Sequence, residues 1–186
     1  MADIIDNNKN LIEIARSSIE YGLTHHQPIK IQLNEFAPSL REEAATFVTL
    51  NMNNELRGCI GQLTASRPLA VDVAMNAYAA AFQDPRFPPL KKEELPLITI
   101  SISLLSKPEP LVINSEAELL TLLRPGIDGL IIEKDQRRGT FLPSVWAQLP
   151  APKAFLRQLK LKAGINENDS ASDIVYFRYT TTYIEE

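Results

Sequence analysis

The sequence offers little material for cross-links or metal sites. Cys59 is the single cysteine among 186 residues, so an intramolecular disulfide is excluded and a reducing compartment, the cytoplasm, is the expected setting. Only two histidines occur, the adjacent His25 and His26, and with one cysteine they form no evident three- or four-ligand set, so no metal is expected. They also fall in a polar loop, which works against a Cys/His nucleophilic pair. No basic start followed by an apolar core marks a secretion signal. Apolar runs are repeatedly broken by Ser, Thr, Asn or Pro and never approach the ~20 residues that span a bilayer. Positive charge is also in short supply: 19 Lys and Arg against 23 Asp and Glu give a net charge of −4. This balance disfavours a nucleic-acid binder, because phosphate neutralisation by clustered cations supplies most of such affinity. The pair Arg137-Arg138 reads as a solvated turn.

What is present is ordinary globular composition, 45% hydrophobic and 23% charged, without low-complexity stretches, repeats or a linker. One ordered domain over residues 1–186 is expected, and a fold of this length buries roughly 70% of its unfolded surface. Leu11, Ala15, Ile19 and Gly22 recur at helical spacing and predict a first helix that stops near Gly22. Phe47–Leu50 and Glu55–Ile60 read as a hairpin around a turn at Asn51–Asn54. Pro68 suits the first turn of a helix faced by Leu69, Val73, Ala77 and Ala81 and ended by Asp84-Pro85. From Leu97 to Leu105, isoleucines alternate with Thr and Ser, the signature of a strand buried on one face. Ser115 and Glu118 form a capping-box pattern ahead of a short helix that Pro125 terminates. Leu130–Glu133 and Gly139–Leu142 predict a second hairpin about Lys134–Arg138. Pro152 opens a helix faced by Phe155, Leu156 and Leu159, with Gly164 placed for a left-handed cap. The Thr-rich, aromatic segment Val175–Ile184 predicts one final strand. Hairpins separated by helices, without βαβ alternation, indicate an α+β fold with a mainly antiparallel sheet.

Leu56-Arg57-Gly58-Cys59-Ile60-Gly61 is the leading candidate site. A thiol is nucleophilic as the thiolate, which needs a positive neighbour and open access. On an extended strand, Arg57 and Cys59 would share a face. Gly58 and Gly61 would admit a ligand or another backbone closely, or form a bend. The structural alternative makes Cys59 a small buried hydrophobe beside two backbone bends. Asp84 could orient Arg57, readying its two-pronged guanidinium for a carboxylate or phosphate; alternatively, Asp84 and Arg86 form a salt bridge at a helix stop. Thr140, between Gly139 and Phe141 at a strand end, reads more naturally as structural.

These residues resemble the AMMECR domain family. The likeness rests on Phe47–Leu50, Leu56–Gly61, Asp84-Pro85-Arg86-Phe87, Gly126–Leu130, Gly139–Pro143, Ser144-Val145-Trp146, Phe155-Leu156 and Lys162-Ala163-Gly164, in family order over about residues 10–183. The later motifs look most like the bacterial branch called AmmeMemoRadiSam system protein A. The resemblance implies an antiparallel sheet flanked by helices with a smaller subdomain, and an association with a Memo-type protein and a radical SAM protein. It carries over Arg57, Gly58, Cys59, Gly61, Asp84, Arg86, Thr140 and Lys162, with Lys160 where some members have a second cysteine. Two functions are therefore open. One is an enzyme or enzyme component that binds a small anionic or carbonyl-bearing substrate, with Cys59 as the candidate catalytic thiol, Arg57 as anchor and Asp84 as orienter, and Gly58, Gly61, Arg86, Thr140 and Lys162 as ligand-binding candidates. The other is a non-enzymatic module that docks those partners and exposes an apolar patch. No cofactor is evident.

Overall fold

A computed structural model describes residues 2–186, with side chains from Lys9 onward. The chain divides into two compact units, one comprising Met1–Leu105 with Thr182–Glu186 and the other Ser106–Thr181.

The first unit begins with helix α1 (Ala2–His25) and a short helix α2 (Pro38–Arg41). Helix α1 runs past the predicted stop at Gly22. That glycine serves close packing instead, since a Cβ there would lie 2.6 Å from the Phe82 ring. His26 ends the helix in the left-handed region, at φ 55. Strands β1 (Glu43–Met52) and β2 (Glu55–Gly61) form the expected hairpin. Its turn is only Asn53-Asn54, both at positive φ as a two-residue hairpin loop demands. A two-residue strand β3 (Arg67–Pro68) leads into helix α3 (Leu69–Phe82), and β4 (Ile98–Leu105) follows a 3-10 segment at Lys92–Leu97. The sheet runs β2-β1-β4-β9, with β3 also on β1, where β9 is Thr181–Glu185.

Helix α3 lies against β1 and β2, and α1 against α3 and β4. The core beneath them is built from cross-strand apolar pairs, Val48 with Ile102 and Leu50 with Ile100, facing Val73 and Ala77. The alanines of α3 allow that close approach; Ala70, Ala74, Ala77, Ala80 and Ala81 are all buried. The expected alternation of β4 holds for its isoleucines and for exposed Thr99, but Ser101 is buried. Cross-strand neighbour Thr49 and a recess lined by Tyr183 and Glu185 flank it.

The second unit holds β5 (Glu109–Leu111), α4 (Glu116–Leu122), β6 (Gly129–Lys134), β7 (Arg137–Phe141), α5 (Pro152–Ala163) and β8 (Val175–Tyr179). Its antiparallel sheet has the order β5-β8-β6-β7. Ser115 caps α4 by accepting from the Glu118 N–H, and Gly164 ends α5 at φ 70, as expected. Trp146 stacks on Phe155 at 3.8 Å and donates its indole N–H to the Asp128 carbonyl at 2.7 Å. The predicted final strand is two strands, β8 and β9, in different sheets. Thr180 breaks them, and its N–H and C=O bond to Ser106 Oγ and Ser106 N instead of continuing a ladder. The fold is thus α+β, and the smaller unit, Ser106–Thr181, matches the expected subdomain.

A buried polar knot ties α3 to the first sheet. Asp72 is fully buried, and its Oδ2 accepts from Thr46 N, Thr46 Oγ1 and Asn76 Nδ2 at 2.7–3.0 Å. Its Oδ1 accepts from Gln62 and, in two-pronged fashion, from Arg67. A buried carboxylate with this many donors is stabilising only as a complete set. Asp72→Ala, which orphans those donors, is expected to cost about 3–5 kcal/mol of stability, measured by urea unfolding.

Candidate functional site

The Leu56–Gly61 motif occupies β2, an edge strand of the first sheet. Leu50 pairs with Gly58 but Asn51 with Leu56, so Arg57 is the extra residue of a β-bulge. A bulge re-aims its side chain, so the regular alternation on which Arg57 and Cys59 were expected to share a face is interrupted between them. The Arg57 guanidinium instead donates to Glu94 at 2.8 and 3.1 Å and to the Pro88 carbonyl at 2.9 Å. Glu94 also accepts the Lys91 N–H. The hydrogen bond from Arg57 holds the Glu94 carboxyl below its ordinary value. Arg57 is buried, and its Nη1 has no hydrogen-bond partner among the described residues.

Asp84 does not orient Arg57; the helix-stop alternative is the one realised. Its buried carboxylate accepts from Arg86 Nε at 2.9 Å and Nη2 at 2.6 Å, and from the Cys59 N–H at 2.9 Å. Arg86 Nη2 in turn donates to the Cys59 carbonyl at 3.2 Å. The ion pair therefore satisfies both backbone groups that Cys59 presents at the sheet edge, as a neighbouring strand would. The Arg86 hydrogen bonds hold the Asp84 carboxyl far below the usual carboxylate range, and Asp84 raises the Arg86 pKa in return, assisted by the Cys59 side chain. The Phe87 ring lies 5.5 Å from the Arg86 guanidinium and 6.0 Å from that of Arg57.

Cys59 itself is half-buried, and its Sγ accepts from Thr49 Oγ1 at 3.2 Å. Thr49 pairs with Cys59 on one side and Ser101 on the other, so these three line the sheet face opposite Val48 and Leu50. Ser101 Oγ has no hydrogen-bond partner among the described residues. The cation bonded to Cys59, through the Cys59 carbonyl, is Arg86, whose side chain is 54% exposed, whereas buried Arg57 bonds Glu94.

The glycines admit neighbouring backbone. A Cβ on Gly58 would lie 2.1 Å from the Ala80 carbonyl oxygen of α3, and one on Gly61 2.3 Å from the Thr46 carbonyl oxygen of β1. Close approach of another backbone, one of the two readings open for these glycines, is what the structure shows: each lets the edge strand seat on its own scaffold. Thr140 and Lys162 belong to the second unit. Thr140 Oγ1 bonds the Leu130 carbonyl and the Tyr179 hydroxyl, each at 2.9 Å, while Lys162 Nζ donates to the Thr140 carbonyl at 3.0 Å. Among the described residues, no group of three His, Cys, Asp or Glu is arranged to hold a metal, and no helix is long and apolar enough to cross a membrane. His25 stacks on Tyr21 of its own helix.

Sequence reasoning missed Glu94 and Thr49. Glu94 lies in the run Lys91-Lys92-Glu93-Glu94, where it resembles any solvated charge. Thr49 was hidden as well, since the two-residue turn at Asn53-Asn54 by itself would set it opposite Gly58, and only the bulge at Arg57 brings it opposite Cys59.

Antiparallel sheets with packed helices and an edge-strand Arg-Gly-Cys motif closed by an Asp/Arg pair define the class. The AMMECR1 family matches residues 12–184, and the chain belongs to that family. It is 38% identical over 161 residues to a protein of Methanothermobacter thermautotrophicus, covering 86% of this chain and 83% of that one. A Thermotoga maritima protein is 38% identical over 173 residues, 91% of each chain. The crystal structure of an uncharacterized Pyrococcus horikoshii protein superposes with a TM-score of 0.82 at 32% identity, over 93% of this chain and 88% of that chain.

Two outcomes test this arrangement. Gly58→Ala is expected to lower stability by about 1–3 kcal/mol, read by thermal unfolding, because the Ala80 carbonyl cannot retreat without moving α3. Asp84→Asn is expected to cost about 1–3 kcal/mol at neutral pH. A carboxyl depressed on folding contributes stability above its ordinary pKa, 3.8 for Asp84, and loses it as pH falls towards the folded value. The difference between wild type and Asp84→Asn should therefore shrink below about pH 4 in pH-dependent unfolding.

Proposed function

We propose that the protein is an enzyme or enzyme component, acting in the cytoplasm, that binds a small anionic or carbonyl-bearing substrate beside Cys59. The observation that carries this reading is the half-exposed Arg86 guanidinium fixed next to Cys59 by buried Asp84. Arg86 takes the anchoring role first expected of Arg57, since a guanidinium with exposed surface can meet a carboxylate or phosphate through paired N–H groups. Asp84 acts as positioning residue for that cation. Thr49 supplies a hydroxyl on Sγ and fixes the direction in which the sulfur presents its lone pairs. Cys59 is the nucleophile or thiol ligand of the substrate in this reading. By its likeness to AmmeMemoRadiSam system protein A, the protein would act together with a Memo-type protein and a radical SAM protein.

A docking module for those partners is the second reading, favoured by two exposed leucines. Leu56 precedes Arg57 and is 43% exposed, and Leu97, beside the start of β4, is 56% exposed. In that case the motif is only a rigid edge, and Leu56→Asp should abolish partner co-purification while Cys59→Ala leaves it intact.

Iodoacetamide alkylation of folded protein separates the two. The enzyme reading expects Cys59 to react near neutral pH. It also expects Arg86→Ala to slow the reaction by about two- to fivefold, the effect of losing ~1 kcal/mol or less of attraction at an exposed site. No alkylation of folded protein below pH 9, read by intact mass, overturns it.

A further inference from the structure

The second unit contains a recess of about 440 Å³ that the reading above does not use. Helix α5 supplies Lys153, Leu156, Arg157 and Lys160, α4 supplies Glu116, and the loop after α5 supplies Glu167 and Asn168. The volume is within the range of small-molecule sites. The lining is polar apart from Leu156.

Lys160 is the unusual member. It is 1% exposed, whereas an ammonium is rarely buried without a built surrounding. Its Nζ donates to Glu116 Oε2 at 2.7 Å and to the Glu167 carbonyl at 3.1 Å. An ammonium carries three donors, so those two acceptors leave one for a group in the recess that Lys160 lines. Close by, the Tyr176 hydroxyl is buried without a hydrogen-bond partner among the described residues, and burial together with the Glu116 charge pushes its ionisation up to about 12. Arg157 pairs with Glu167 at 2.8 Å, leaving Lys153 as the lining cation without a partner among the described residues.

The local charge decides the sign of the ligand. Lys153, Arg157 and Lys160 face two carboxylates, Glu116 and Glu167, giving an excess of one positive charge in a chain whose net charge is −4. We infer that this recess is a binding site for a small anion, a molecule bearing a carboxylate or phosphate group, held between Lys153 at the rim and the remaining Lys160 donor at the floor. It is independent of Cys59. Asn168 is placed to bond a polar substituent beside the anionic group, and Leu156 covers an apolar flank.

The test is a ¹H–¹⁵N NMR titration of the full chain with inorganic phosphate and, separately, malonate, at constant ionic strength made up with chloride. Saturable shifts at Lys153, Arg157, Lys160 and Asn168, weakened about tenfold in Lys153→Ala, are expected. Saturation by phosphate alone assigns a phosphorylated ligand, by malonate alone a carboxylate, and by both the shared anionic group. Lys153 is exposed, so its replacement leaves the fold intact; an unchanged spectrum of unliganded Lys153→Ala outside α5 verifies that. Non-saturating shifts, identical shifts with chloride, or undiminished affinity in Lys153→Ala overturns the assignment.

Discussion

The Asp84 carboxylate is the constraint on which the candidate site depends. It receives the Cys59 N–H and both prongs of Arg86, and Arg86 returns a hydrogen bond to the Cys59 carbonyl. An edge strand ordinarily exposes such groups to solvent or to a foreign strand. Here a two-residue separation in sequence provides an acceptor and a donor at the right spacing, and the helix that ends before Asp84 supplies the rigid mount. Arg57 and Glu94 form a second clamp further along β2, so the motif is held on both sides while Cys59 itself is only half-buried. Fixing the backbone without covering the side chain is what a thiol-presenting site needs.

Belonging to the AMMECR1 family gives this arrangement its context. The Pyrococcus horikoshii structure has the same fold at 32% identity, so two thirds of the positions differ while the scaffold persists. A scaffold that tolerates such change is set by burial pattern and backbone contacts. The glycines show why: Gly58 and Gly61 are specified by the Ala80 and Thr46 carbonyl oxygens pressed against them.

Local chemistry made much of the fold legible. Gly164 after an amphipathic run, Ser115 before Glu118, and paired asparagines between two strands each carry a short-range cause that survives folding. The misreadings came from long-range causes. Gly22 resembles a helix stop until Tyr78 and Phe82, over fifty residues away in sequence, claim the space where its Cβ would be. Val175–Ile184 reads as one strand because nothing in its composition reveals that Thr180 bonds to Ser106 instead of a ladder partner. At the site, the motif and the Asp84-Pro85-Arg86 stop were visible, including the Asp84–Arg86 pair as an alternative. The bulge that turns Arg57 towards Glu94 was not, since a register shift is a property of two strands and not of either alone.

The order in which the chain visits its two sheets also shapes its biogenesis. Ser106–Thr181 lies between β4 and the strand that completes the first sheet. A ribosome therefore finishes the whole inserted unit while β4 still lacks its β9 neighbour. Throughout that interval an unpaired, isoleucine-rich border of the nascent protein is open to mispairing, and a chaperone that shields strands would be most valuable then.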